Sequence, residues 1–133
     1  MYKFRFIPFF CLILINNSIF SQDWNKVFMY QMDAENFMFD KQFDKAAETF
    51  KKALKIMPDN ANIKFKIGYC YLNTDDIRNE AISFLEGAAE NVSVDYKEQS
   101  LKEDKAPILA LYFLAEIYRI NQKFDKAIEA YTK

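Results

Sequence analysis

The chain has 133 residues, 51% of them hydrophobic, with 18 Lys and Arg against 19 Asp and Glu and no histidine. That length holds one domain at most. The near-balance of charge, with no basic stripe, argues against a nucleic-acid surface. The lack of histidine removes the commonest general base and metal ligand, along with every Ser-His or Cys-His arrangement.

The chain opens with MYKFR, which carries Lys3 and Arg5 and no acid. The apolar run FIPFFCLILI, Phe6 to Ile15, follows, and the polar NNSIFSQ comes after it. A basic start, a short apolar core and a small residue at the exit read as a secretory signal peptide over residues 1–21. The run falls short of the about 20 apolar residues that a membrane-crossing helix needs, and an uncleaved anchor is the alternative reading. Cleavage after Ser21 removes two of the 18 cations and none of the 19 acids, leaving a net charge of −3, although bulky Ile19 occupies the −3 position. Cys11 departs with the signal, and Pro8-Phe9-Phe10 before it lacks the small residue of a lipoprotein processing site. Cys70 then stands alone, so packing rather than a disulfide must hold an exported chain together.

Residues 22–133 read as helix after helix. From Phe43 to Met57 the apolar positions are Phe43, Ala46, Ala47, Phe50, Ala53, Leu54 and Met57. Their i, i+3, i+4, i+7 spacing marks one helical face, with charges between. Pro58 stops that helix, and Asp59-Asn60 turn the chain and cap the next. Ile63–Leu72, Ile77–Ala89 and Ile108–Ile120 share the same character, and no alternating strand pattern appears. Tyr96–Pro107, YKEQSLKEDKAP, has no apolar period and reads as a charged loop.

The words FDKA occur twice, at Phe43 and at Phe124, 81 residues apart. Self-similarity of this kind favours a solenoid of helical hairpins over a closed bundle. Aligned on FDKA, the chain resembles the tetratricopeptide repeat (TPR). In the first repeat, residues 27–60, the matching positions are Tyr30, Asp33-Ala34, Phe37, Phe43, Ala46, Phe50, Ala53 and Pro58, with Asp33 where Leu is usual. The second, residues 61–95, gives Ile67-Gly68, Tyr71, Ala81, Leu85 and Ala88, its second helix one residue late after an insertion near Asp75. The third, residues 108–133, gives Leu111, Leu114-Ala115, Tyr118, Phe124, Ala127 and Tyr131 and is incomplete. Two repeats of about 34 residues leave about 13 of the 81 unexplained. One is the insertion near Asp75, and twelve are the insert 96–107.

The resemblance implies an all-α TPR-type solenoid of about two and a half repeats. The small residues Ala34, Ala46, Gly68, Ala81, Ala115 and Ala127 let paired helices approach closely. Phe37, Phe50, Tyr71, Tyr118 and Tyr131 fill the gaps between hairpins, and Phe43 and Phe124 point inward. A solenoid needs a polar terminal cap, so an array that stops at Lys133 is expected to be a fragment of a longer one.

No constellation in the sequence suggests catalysis. The two glycines, Gly68 and Gly87, cannot form a phosphate loop. Cys70 lies between two tyrosines with nothing near to activate it. The carboxylates fall on turns and outward helix faces, and Asn91-Val92-Ser93 matches a glycosylation sequon by chance. No enzyme, cofactor or metal site is expected.

What remains is a binding surface. The resemblance implies that the first helix of each repeat lines a groove, with ligand-contacting positions at Phe28, Gln31, Met32, Glu35, Met38 and Phe39. In the second repeat these are Asn62, Phe65, Lys66, Tyr69, Leu72 and Asn73. In the third they are Leu109, Tyr112, Phe113, Glu116, Arg119 and Ile120. Gln31 and Glu35 stand where a carboxylate-binding groove carries Lys and Asn, which disfavours that ligand. Met32, Phe65, Tyr69, Tyr112 and Phe113 make the groove apolar, suited to an apolar peptide segment or helix, or to cover by another part of the same protein.

The stretch from Ile67 to Tyr131 further resembles the N-terminal TPR region of outer-membrane-associated proteins of Gram-negative bacteria. In those proteins a WD-type propeller and an OmpA-like peptidoglycan-binding domain follow. This resemblance implies an exported, periplasmic, outer-membrane-associated scaffold that docks a protein or peptide partner. It has no membrane span once the signal is cleaved. The alternative is a spacer whose groove is covered by its own next domain.

Overall fold

A computed structural model describes the backbone of residues 10–133, and side chains from residue 23 onward apart from 76 and 77. The basic start and the first apolar residues of the expected signal peptide lie outside the described residues. Six helices follow in order: α1 (Phe10–Phe39), α2 (Phe43–Ile56), α3 (Ala61–Leu72), α4 (Ala81–Ala89), α5 (Leu109–Ile120) and α6 (Phe124–Thr132). The extensive contacts run between consecutive helices, α1 on α2, α2 on α3, and so on to α6. That is a solenoid of hairpins rather than a closed bundle. Helix α1 continues through Ser21 without a break.

The FDKA echo has a geometric counterpart just before each copy. Lys41 and Gln122 both adopt φ of 58°, the left-handed region. At the first turn Lys41 N–H donates to Met38 O (3.0 Å) and Gln42 N–H to Phe37 O (2.8 Å). At the second, Gln122 N–H donates to Arg119 O (3.0 Å) and Lys123 N–H to Tyr118 O (2.9 Å). Each pair is a Schellman motif, which satisfies the last carbonyls of one helix and turns the chain into the next. Ahead of α3 the device differs. Asn60 caps that helix, its side-chain oxygen accepting from Ile63 N–H at 2.8 Å.

The small residues expected to let helices approach lie in the core. Ala34, Ala46, Ala81, Ala88 and Ala115 are fully buried, with Ala53 and Ala127 beside them in the core. At Gly68 a Cβ would lie 2.7 Å from Leu85 Cγ and 2.8 Å from Cδ2, so α3 meets α4 at a distance only glycine allows. Phe50 is fully buried, Tyr71 and Tyr118 nearly so, and Phe37 packs half-buried against the core. Pro58 is exposed, one residue past the C-cap Met57 of α2. It acts as a helix stop rather than a packing residue.

Three expectations are corrected. The segment expected to be helical from Ile77 begins as a 3-10 helix, Asp75–Glu80, and becomes α-helical only at Ala81. Arg78 tightens that turn, its Nε donating to Leu72 O (3.2 Å) and Nη2 to Asp75 (2.8 Å), which accommodates the inserted residue. The loop ends pair as two short parallel strands, β1 (Val92–Ser93) and β2 (Ala106–Pro107), in a chain that reads as wholly helical. Phe124 and Tyr131 are 58% and 46% exposed instead of inward-facing. No hairpin among the described residues packs beyond α6 to cover them.

Candidate partner-binding face

The first helices of the three hairpins, α1, α3 and α5, make one face, and aromatic rings run across it. Phe65 on α3 stacks on Phe113 of α5, with centroids 6.2 Å apart and planes 10° from parallel. Tyr69, one turn on, lies 5.8 Å from Phe113 and 6.2 Å from Phe43 at the start of α2. Phe113 continues to Tyr112 (5.8 Å), and Tyr112 to Tyr131 of α6 (6.2 Å). Offset and tilted pairs at these separations are attractive beyond their burial. Of the five expected groove residues the structure thus brings four together: Phe65, Tyr69, Tyr112 and Phe113. Phe65 is a buried member of the core, Tyr69 and Phe113 are half-buried, and Tyr112 is half exposed. Met32 is exposed on α1 but belongs neither to this row nor to the cavity beside it.

That cavity has a volume of about 760 Å³ and is lined by Glu35, Met38, Phe65, Lys66, Tyr69, Tyr96, Glu98, Gln99, Pro107 and Leu109. Its size falls within the range of ligand pockets. Lys66 is nearly buried and is held by an ion pair with Glu35 of α1. Its ammonium also sits 5.7 Å from the Phe50 ring centroid. Both charges are therefore partnered within the fold, which leaves the apolar wall as the cavity's main offering.

One wall of the cavity belongs to the insert 96–107, which folds back over α1 and α3. Gln31 Nε2 donates to Leu101 O (3.0 Å), and Asn62 Nδ2 donates to Glu103 O (3.2 Å). Tyr96 Oη donates to Asn62 Oδ1 (2.8 Å). The Ala61 and Asn62 backbone N–H groups both donate to Asp104 O, at 2.9 and 3.3 Å, which satisfies orphan donors at the start of α3. Burial pushes the Tyr96 phenol up to about 12, so it remains a donor at any physiological pH. The carboxylate of Glu103 accepts from the Lys97 and Lys105 N–H groups (3.1 Å each) and clasps the loop's ends together.

The sequence resemblance had placed Gln31 and Asn62 among ligand positions, and both are fully buried beneath the chain's own insert. Sequence reasoning missed Tyr96 and Leu101 as their partners. The signal was faint: these are the aromatic and the leucine in an otherwise charged stretch.

Elsewhere the chemistry is that of packing. Burial pushes the Cys70 thiol up to about 12, far from a thiolate at neutral pH. Tyr118 donates to Glu86 and Tyr131 to Glu116. Among the described residues no three His, Cys, Asp or Glu side chains gather as a metal site would require. No helix among them is long and apolar enough to cross a membrane.

Family models described as tetratricopeptide repeat match residues 40–95 and residues 108–133. Between the two matches lie residues 96–107. No curated protein and no solved structure matches the chain. The matched segments carry α2 through α6, and together they span more than half the chain. It belongs to the tetratricopeptide-repeat proteins.

Proposed function

We propose that this chain is a protein-interaction module whose partner docks on the aromatic row between α3 and α6. TPR arrays generally mediate protein–protein contacts, and the observation that carries the reading here is the ring series Tyr69, Phe113, Tyr112, Tyr131. Those rings extend from the half-buried wall of the cavity to the exposed surface of the last hairpin. Rigid aromatics with one face packed and the other wet are the residue type that dominates interface energetics. Leu109 and Ile108, both about half exposed, widen the patch. The fit is to an apolar peptide segment or an amphipathic helix.

The setting proposed is the bacterial cell envelope, after export directed by residues 1–21. Support for it is the basic start and apolar run of the first fifteen residues, together with the resemblance of Ile67–Tyr131 to outer-membrane-associated proteins. A spacer role, with the row covered by a further domain of the same protein, is the competing reading.

The test is a photo-crosslinking residue placed at Tyr112 in intact cells. A single exported partner should be captured, and in purified form it should bind Tyr112→Ala at least tenfold more weakly than the wild-type chain. Crosslinks confined to the protein's own chain would overturn docking and favour the spacer.

A further inference from the structure

The insert's hold on α1 and α3 has the character of a bound peptide. The groove-facing side chains Gln31 and Asn62 grip main-chain carbonyls of Leu101 and Glu103, and Asn62 also accepts from the Tyr96 hydroxyl at the insert's start. A main-chain carbonyl is common to every sequence, so these two contacts read the backbone rather than a particular residue. The fit is also incomplete. Gln31 is fully buried, yet its Oε1 has no hydrogen-bond partner, because the insert supplies a carbonyl to the amide nitrogen and no N–H to the oxygen. A buried acceptor left unpaired is costly and uncommon. An extended strand offers C=O and N–H groups on the same edge and can satisfy both halves of the Gln31 amide.

Ala106 is fully buried in the core and pairs through β2 with β1, so it anchors the insert's far end, and the part free to leave is the stretch before it. Lys97, Glu98, Gln99, Lys102, Asp104 and Lys105 are exposed, and Leu101 is only half-buried.

We propose that residues 97–104 are an internal ligand: they occupy a main-chain-reading site formed by Gln31 and Asn62, and an extended polypeptide strand supplied in trans displaces them. The proposal rests on reading the α1–α3–α5 face as a peptide-binding surface. It uses none of the aromatic row, so the two fail separately: loss of partner binding in Tyr112→Ala tests the row alone.

The probe is the labelled peptide YKEQSLKEDKAP, identical to residues 96–107, added to the full chain and to a variant with residues 97–104 replaced by a Gly-Ser linker of equal length. The linker variant should bind the peptide at least tenfold more tightly than wild type. Adding Gln31→Ala to the linker variant should weaken that binding at least tenfold. A folded linker variant that ignores the peptide, or that binds it no better than wild type, overturns the proposal.

Because Asp104 caps α3, the linker variant is at risk of misfolding, so a second measurement uses the wild-type chain. Trypsin cleavage after Lys97 or Lys102 requires the insert to leave its seat, and it should outpace cleavage after Lys55 and Lys64 at least a hundredfold. Equal rates, which mean that the insert opens only when the whole chain unfolds, overturn the proposal.

Discussion

Gly68 and Gly87 are the only glycines in the chain, both lie inside helices, and their surroundings give them opposite roles. A methyl at Gly68 meets the branch point of Leu85 at 2.7 Å, in a core where neither helix can yield. At Gly87 it meets Lys64 Cδ at 3.0 Å and Nζ at 3.4 Å, the far end of a flexible side chain. Replacing helical Gly by Ala gains about 1 kcal/mol in propensity, while overpacking costs about 1–3 kcal/mol. Gly68→Ala should therefore lower stability by up to about 2 kcal/mol in urea melts, and Gly87→Ala should leave it unchanged or raise it by about 0.5 kcal/mol. Stabilisation by Gly68→Ala would mean that α3 and α4 are not in close contact. The closeness was legible in the sequence, because a small residue one helical position before a large one is what a packed hairpin needs. The left-handed turns at Lys41 and Gln122 were not, since neither is the glycine or asparagine such a turn favours. Only the repetition of FDKA after each turn hinted that the two turns are the same.

At the scale of an element, the helices and the insert differ in how much of their placement the sequence carries. A helix announces its buried face through apolar spacing. The insert has no such spacing, and apart from the Tyr96 hydroxyl on Asn62 it is seated by main-chain carbonyls, which every residue possesses, so YKEQSLKEDKAP carries only a faint sign of its position over α1 and α3. Its closure depends on Glu103. Hydrogen bonds from the backbone N–H of Lys105, then of Lys97 and Asp104, together with the nearby Lys105 charge, hold this carboxyl below the ordinary 4.5. A carboxylate favoured by the closed loop steadies that loop above pH 4.5 and ceases to do so as pH falls through its own lower value. The amide resonances of Lys97 and Lys105 should accordingly titrate together with a midpoint below 4.5, and Glu103→Gln should abolish that midpoint. A shared midpoint at or above 4.5 would show that Glu103 does not clasp the loop.

Across the whole molecule, each hairpin is held by its neighbours, so position in the array decides what a lost contact costs. The two FDKA phrases show this most directly. Phe43 packs half-buried against Tyr69 of the hairpin that follows it, whereas Phe124, in the same phrase, is largely exposed because no hairpin among the described residues lies beyond α6. The sequence could show that the phrases match but not that their surroundings differ, because burial belongs to the neighbour. Leu85 is fully buried against α3, and its helix α4 packs on both α3 and α5 in the middle of the array. Leu85→Ala should cost about 2–5 kcal/mol, and amide exchange should quicken from α2 through α5 together. Ala127 sits on the last helix, which packs chiefly on α5. Ala127→Gly should cost about 1 kcal/mol and quicken exchange in α5 and α6 while α2 and α3 keep their protection. A uniform loss of protection after Ala127→Gly would show a single cooperative unit, and the aromatic row would then be as rigid at Tyr131 as it is at Phe65.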